Sequence, residues 1–81
     1  MLVPVYGFLA GDTLGVLVLV HDHETIRDLA IRLQQAAAVR VKPKARVRVL
    51  AGGKILDLRA TVAQSGLTAL DRVDVIGEEE G

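Results

Sequence analysis

The run Val16-Leu17-Val18-Leu19-Val20 is the hardest constraint on what this chain can fold into. Five consecutive apolar residues, three of them β-branched Val, read as a strand, and successive side chains of a strand point to opposite faces. Both faces therefore call for burial. At 81 residues the chain makes one domain with one core, and a core covers one face of a sheet. The second face needs a cover from a loop of the same chain or from another molecule, and a one-residue slip in register would exchange which face that is.

The remaining elements are read from periodicity and turn chemistry. Val3 to Leu9 is a first strand, with Pro4 near its start, where a missing N–H does least harm. Ala10-Gly11-Asp12 turns it back into a second strand, Leu14 to Val20. Thr25 followed by Asp28 has the form of a helix N-terminal box, and Ile26, Leu29, Ala30, Leu33 and Ala37 recur at helical spacing behind it. Arg27, Asp28, Arg32 and Gln34 are expected on the opposite, solvent side. Lys42-Pro43-Lys44 ends any helix, because the residue before Pro resists helical angles. Arg46 to Leu50 alternates as a third strand, Gly52-Gly53 turns it, and Ile55 to Leu58 returns. Thr61 to Asp71 has room for little more than a helical turn, and Arg72 to Ile76 is a last alternating strand. This order predicts an α+β domain over residues 1–77, a mixed sheet of four to five strands packed on one amphipathic helix, followed by an acidic disordered tail over 78–81.

Composition narrows the possible chemistry. Ten basic and ten acidic side chains cancel, which removes the positive footprint expected of a nucleic-acid binder. No apolar run reaches the roughly 18 residues of a membrane span, and the start of the chain has no basic leader region, so a cytoplasmic protein is expected. With no Cys there is neither a disulfide nor a thiolate nucleophile. His21 and His23 form an H-x-H pair, but with Asp22 or Glu24 they make an incomplete metal site, since structural zinc takes four ligands. Gly52-Gly53-Lys54 lacks the spacing of a phosphate loop and runs into a strand instead of a helix. Ser65 has no neighbouring base. No catalytic residue, cofactor or metal is expected on this chain.

The order of elements and several local matches resemble the ubiquitin-like β-grasp superfold. Glu24-Thr25-Ile26 opens the helix as that group's acid-Thr-Ile does, and Gly53-Lys54 sits at the hairpin turn. From Gly53 to Ile76 the pattern runs without a gap, placing Leu56, Val62, Leu67, Val73 and Val75 at core positions. Within the superfold the chain resembles the toluene-4-monooxygenase system protein B family, the small subunit of bacterial multicomponent diiron monooxygenases. The matching features are Pro4-Val5 in the first strand, Leu17 to Val20, Ser65-Gly66-Leu67, Asp74-Val75 and the acidic Glu78 to Glu80.

That resemblance implies a non-catalytic subunit that docks on and stabilises the large hydroxylase subunit, with hydroxylation of an aromatic or other hydrocarbon done by iron on another chain. The iron cannot sit here, because such centres draw Glu and Glu-x-x-His ligands from facing helices and the single helix has no His, and no Glu beyond its first turn. A free-standing ubiquitin-like adaptor of the type associated with type VII secretion is the alternative. A sulfur carrier is disfavoured, since the chain ends Glu80-Gly81 without a Gly-Gly terminus. If Val16, Val18 and Val20 face the core, Leu17 and Leu19 face away; the ubiquitin pattern adds Leu50, Ile76 and, on the helix, Ile31 as outward apolar residues of a protein interface.

Overall fold

The computed structural model describes residues 1–78. Its strands are β1 (Leu2–Leu9), β2 (Gly15–His21), β3 (Val47–Ala51), β4 (Lys54–Ile55) and β5 (Arg72–Gly77), with helices α1 (Ile26–Ala36) and α2 (Val62–Ser65). The five strands form one sheet in the order β2-β1-β5-β3-β4, in which only the central β1–β5 pair is parallel. Pro4 is tolerated in a central strand because the β1–β5 ladder begins two residues later, at Tyr6 opposite Arg72.

Helix α1 lies across one face of the sheet and, with its C-cap, supplies five of the fifteen buried core residues. Ile26, Leu29, Ala30, Leu33 and Ala37 are fully buried, as their spacing predicts, against Val5, Val20, Val49, Val73 and Val75 of four strands. Thr25 caps the helix: its hydroxyl accepts from Asp28 N at 3.1 Å, and the Asp28 carboxylate accepts from Thr25 N at 3.0 Å. Gly7 faces inward beneath the helix, and a Cβ there would lie 2.7 Å from Leu33 Cδ1. The leucine therefore occupies the space a side chain of β1 would otherwise fill.

Two expectations change. Gln34 is buried, not on the solvent side, because its carboxamide closes the loop after α1: Oε1 accepts from Lys44 N at 2.6 Å and Nε2 donates to Lys44 O at 3.2 Å. A long polar side chain that satisfies a loop backbone can sit on a core-facing stripe that an apolar count does not see. The return strand after Gly52-Gly53 stops at Ile55 and does not continue to Leu58. Its backbone is drawn to the start of α1, where Arg27 N donates to Leu58 O and Ile26 N to Ala60 O, filling N–H groups that a helix leaves unpaired at its first turn. The carbonyls of Glu24 and Asp22 do the same for α2, and Leu56 is left half-buried against the core.

At the C-terminal end the pairing continues one residue past the expected domain limit. Glu78 N donates to Arg46 O at 2.9 Å, and its carboxylate pairs with Arg48 at 2.9 Å. The rest of the expected acidic tail, 79–81, lies outside the described residues.

The β1–β2 turn is fixed to the far end of α1 by charge. Asp12 accepts two hydrogen bonds from Arg40 Nε and Nη2, at 2.9 Å each on its shorter contacts, and one from Leu14 N. Arg40 holds the Asp12 carboxyl below its ordinary range, and the Thr25 cap does the same for Asp28. For an acid whose folded pKa is lowered, the unfolded chain binds more protons, so its stabilisation is whole above about pH 4 and is lost as pH falls through the lowered value. Denaturant midpoints between pH 7 and pH 2 are expected to drop on the acid side. Asp12→Asn should start lower at pH 7 and lose less on acidification.

Candidate docking surface

The face of the sheet opposite α1 has no element of the described residues over it. On β2 the alternation resolves the apolar run: Val18 and Val20 are buried and Val16 is half-buried, while Leu17 and Leu19 stand 52% and 50% exposed on the outer face. Across the ladder Tyr6 lies opposite Leu17 and Pro4 opposite Leu19, with Leu2 opposite His21. Tyr6 and Leu2 are themselves exposed, so the β1–β2 half carries a continuous apolar patch.

A polar seam follows on β5. Arg72 stacks over the Phe8 ring at 4.1 Å from its centroid and pairs with Asp74 at 3.1 Å. Phe8 in turn leans over β2, where Gly15 leaves room: a Cβ there would meet the ring at 2.7 Å. Beyond the seam, half-buried Leu50 and exposed Ile76 lie on the outer side of β3 and β5, flanking Asp74 and Arg48. Ile55 pairs opposite Leu50 at the sheet margin.

The five residues singled out from the sequence thus fall into three places. Leu17 and Leu19 join one patch, and Leu50 and Ile76 a second on the same sheet face. Ile31, 43% exposed on α1, belongs to the opposite layer, where it lines a groove with Val47 and Leu58. Tyr6, Pro4 and Leu2 were the missing members of the first patch; the alternation of β1 about its buried Val3 and Val5 already carried that signal.

Edge strand β2 is partly closed to further pairing. Arg32 Nη1 donates to Leu19 O at 2.7 Å, Arg32 Nη2 pairs with Glu24 at 2.7 Å, and Glu24 Oε1 accepts from His21 N at 2.9 Å. An ion pair laid on a strand edge uses groups that would otherwise template a foreign strand. It leaves the side-chain face, with Leu17 and Leu19, as the more open approach.

The residues weighed for chemistry are engaged in structure. The His21 and His23 rings stack at 5.3 Å, while the neighbouring Asp22 and Glu24 carboxylates pair with the Met1 amino group and Arg32. Gly52 and Gly53 both have positive φ, 57° and 80°, as a tight hairpin turn requires. Ser65 Oγ donates to Val62 O at 2.6 Å and accepts from Leu67 N, closing α2.

The model of the family toluene-4-monooxygenase system protein B (TmoB) matches residues 2–76. Among solved structures, a chain of the toluene 4-monooxygenase HD complex with the inhibitor 4-bromobenzoate superposes with a TM-score of 0.87 at 26% identity, covering 96% of this chain and 100% of that one. Ubiquitin from Caldiarchaeum subterraneum gives 0.76 at 17% identity, with 100% and 99% covered. A designed protein based on ubiquitin gives 0.81 at 20% identity, with 99% and 93% covered. The last two establish the ubiquitin-like fold. No curated protein matches the chain in sequence.

Proposed function

This chain belongs to the toluene-4-monooxygenase system protein B family, and from that membership we propose that it is a non-catalytic subunit that docks on the large hydroxylase subunit of a diiron monooxygenase and stabilises it. The observation that carries the proposal is the uncovered apolar face of the sheet. Leu17, Leu19, Tyr6 and Leu2 are each 44% exposed or more on adjoining strands, a concentration that solvent alone does not explain. The similar chain in the toluene 4-monooxygenase complex supplies the class of partner. Leu50 and Ile76 extend the contact across the Arg72–Asp74 seam, where a complementary charge would find its counterpart. Hydroxylation is the work of the partner's iron, and this subunit acts in the cytoplasm as part of that assembly. No helix among the described residues is long and apolar enough to cross a membrane.

The test is co-purification from the native host with a tagged chain. A large, iron-containing polypeptide is expected at a fixed ratio, identified by mass spectrometry and metal analysis. Recovery of a secretion ATPase in its place, with no iron protein, would transfer the chain to the adaptor reading.

A further inference from the structure

Among the described residues five take a positive φ, and four of them are glycines, Gly11, Gly52, Gly53 and Gly66. The fifth is Leu70, at φ 66°. It holds the third position of the turn Thr68-Ala69-Leu70-Asp71, which is closed by Asp71 N donating to Thr68 O at 3.1 Å. The Asp71 carboxylate ties the turn a second time, accepting from Thr68 N at 2.9 Å and from the Thr68 hydroxyl at 3.1 Å. A positive φ at that position favours Gly or Asn, because a Cβ crowds the following carbonyl. The leucine therefore does not serve the turn. Nor does it serve the core, since Leu70 is 60% exposed.

Its place beside the sheet supplies a third role. Leu70 N donates to Pro4 O at 2.7 Å and Tyr6 N to Asp71 O at 2.9 Å, so the turn lies against β1 on the side away from β2. Pro4 stands opposite Leu19 on β2, and Tyr6 stands between Leu17 of β2 and Arg72 of β5. Two rows thus cross the molecule side by side, Leu17-Tyr6-Arg72 and Leu19-Pro4-Leu70. The first ends on a charge and the second on a leucine.

We infer that Leu70 is a contact residue of the docking surface, held at its β5 margin by a strained turn, and that it seats against an apolar side chain of the large hydroxylase subunit. The inference rests on the docking reading given above and adds to it a residue and a margin. Continuity sets the occupant. Neighbouring strand positions are about 5 Å apart, so a subunit that covers Leu17, Leu19 and Tyr6 with an interface of ~800 Å² per partner reaches Leu70 as well. Strained backbone at a non-glycine residue persists where its surroundings over-determine it, and such residues concentrate where a side chain has a task in binding. Here Thr68 and Asp71 fix the turn, and the exposed leucine is what it presents.

The test sets folding against binding. Leu70→Asn suits the turn and removes the apolar contact. The free variant is expected to melt at or above the temperature of the parent chain, because Asn accepts a positive φ more readily than Leu. In competition with a labelled copy of the parent chain for the large hydroxylase subunit recovered by co-purification, it is expected to bind at least about tenfold more weakly. Leu70→Met, apolar and equally strained, should stay within about threefold of the parent chain. A lowered melt for Leu70→Asn would show that the leucine supports the fold, and equally weak binding by Leu70→Met would place the effect in the turn; either overturns the inference. So does undiminished binding by Leu70→Asn under conditions where Leu17→Lys no longer binds, a result that leaves the docking face standing without this margin. If Leu17→Lys and Leu70→Asn both bind as the parent chain does, the docking reading itself fails and takes this inference with it.

Discussion

Leu33→Ala is expected to lower the free energy of unfolding by about 2–5 kcal/mol, the range for emptying a buried leucine site. That is a large share of the ~5–15 kcal/mol that holds a small domain together. The site has no means of collapsing. Leu33 has no exposed surface, and the strand position facing it is Gly7, which offers no side chain to move into the void. Ile31→Ala, two residues away on the same helix and 43% exposed, is expected to cost far less. Chemical denaturation of the two variants separates the faces of α1 directly, and equal losses would mean that the helix is turned the other way. Gly7→Ala reverses the defect, since the added methyl meets Leu33 at 2.7 Å and overpacking of this kind costs about 1–3 kcal/mol. Combining Gly7→Ala with Leu33→Ala should recover part of both losses, because each removes what the other strains against.

This contact also shows where sequence legibility ends. The stripe Ile26, Leu29, Ala30, Leu33 and Ala37 is a one-dimensional pattern, and the helix buries it as read. Gly7 is the other half of the same contact and carries no pattern of its own: within Val3 to Leu9 it reads as a gap in the alternation, and its meaning comes from a residue 26 positions along the chain. Gln34 was misplaced for a related reason, since its partner is the backbone of Lys44, to which any residue could contribute. The shortening of β4 follows from orphan N–H groups at the start of α1, a demand set by tertiary arrangement and not by the propensities of residues 55–58. The Thr61 cap was passed over in the sequence although it could be read there, because Thr61 and Gln64 have the same reciprocal spacing as Thr25 and Asp28, and both boxes form. On the candidate surface, period-two alternation correctly sent Leu17 and Leu19 outward. Ile31, equally apolar and also exposed, falls on the other layer, as an outward residue of a helix that covers the core face of the sheet must.

Leu17→Lys and Leu19→Lys are expected to leave the isolated domain folded and to abolish co-purification with the hydroxylase. About half of each side chain already meets solvent, so a lysine can extend into water without disturbing Val18 and Val20 beneath it, and a charge beside a sheet edge discourages self-association. In the complex the same lysine would be buried opposite apolar groups. Loss of a central contact alone removes about 2 kcal/mol or more, roughly a thirtyfold fall in affinity, and an unpaired ammonium adds to that. Leu17 should be the more sensitive of the two, because its cross-strand neighbour is Tyr6, an aromatic residue that can anchor an interface, whereas Leu19 faces Pro4 and has its carbonyl held by Arg32. Thermal melts of the free variants and co-purification of the tagged ones decide together. An unchanged melt with lost binding establishes docking through this patch; unfolding would show that the two leucines support the core after all. Normal folding with normal binding would remove β2 from the interface and make Leu50→Lys and Ile76→Lys, across the Arg72–Asp74 seam, the variants in which the same pair of measurements should separate.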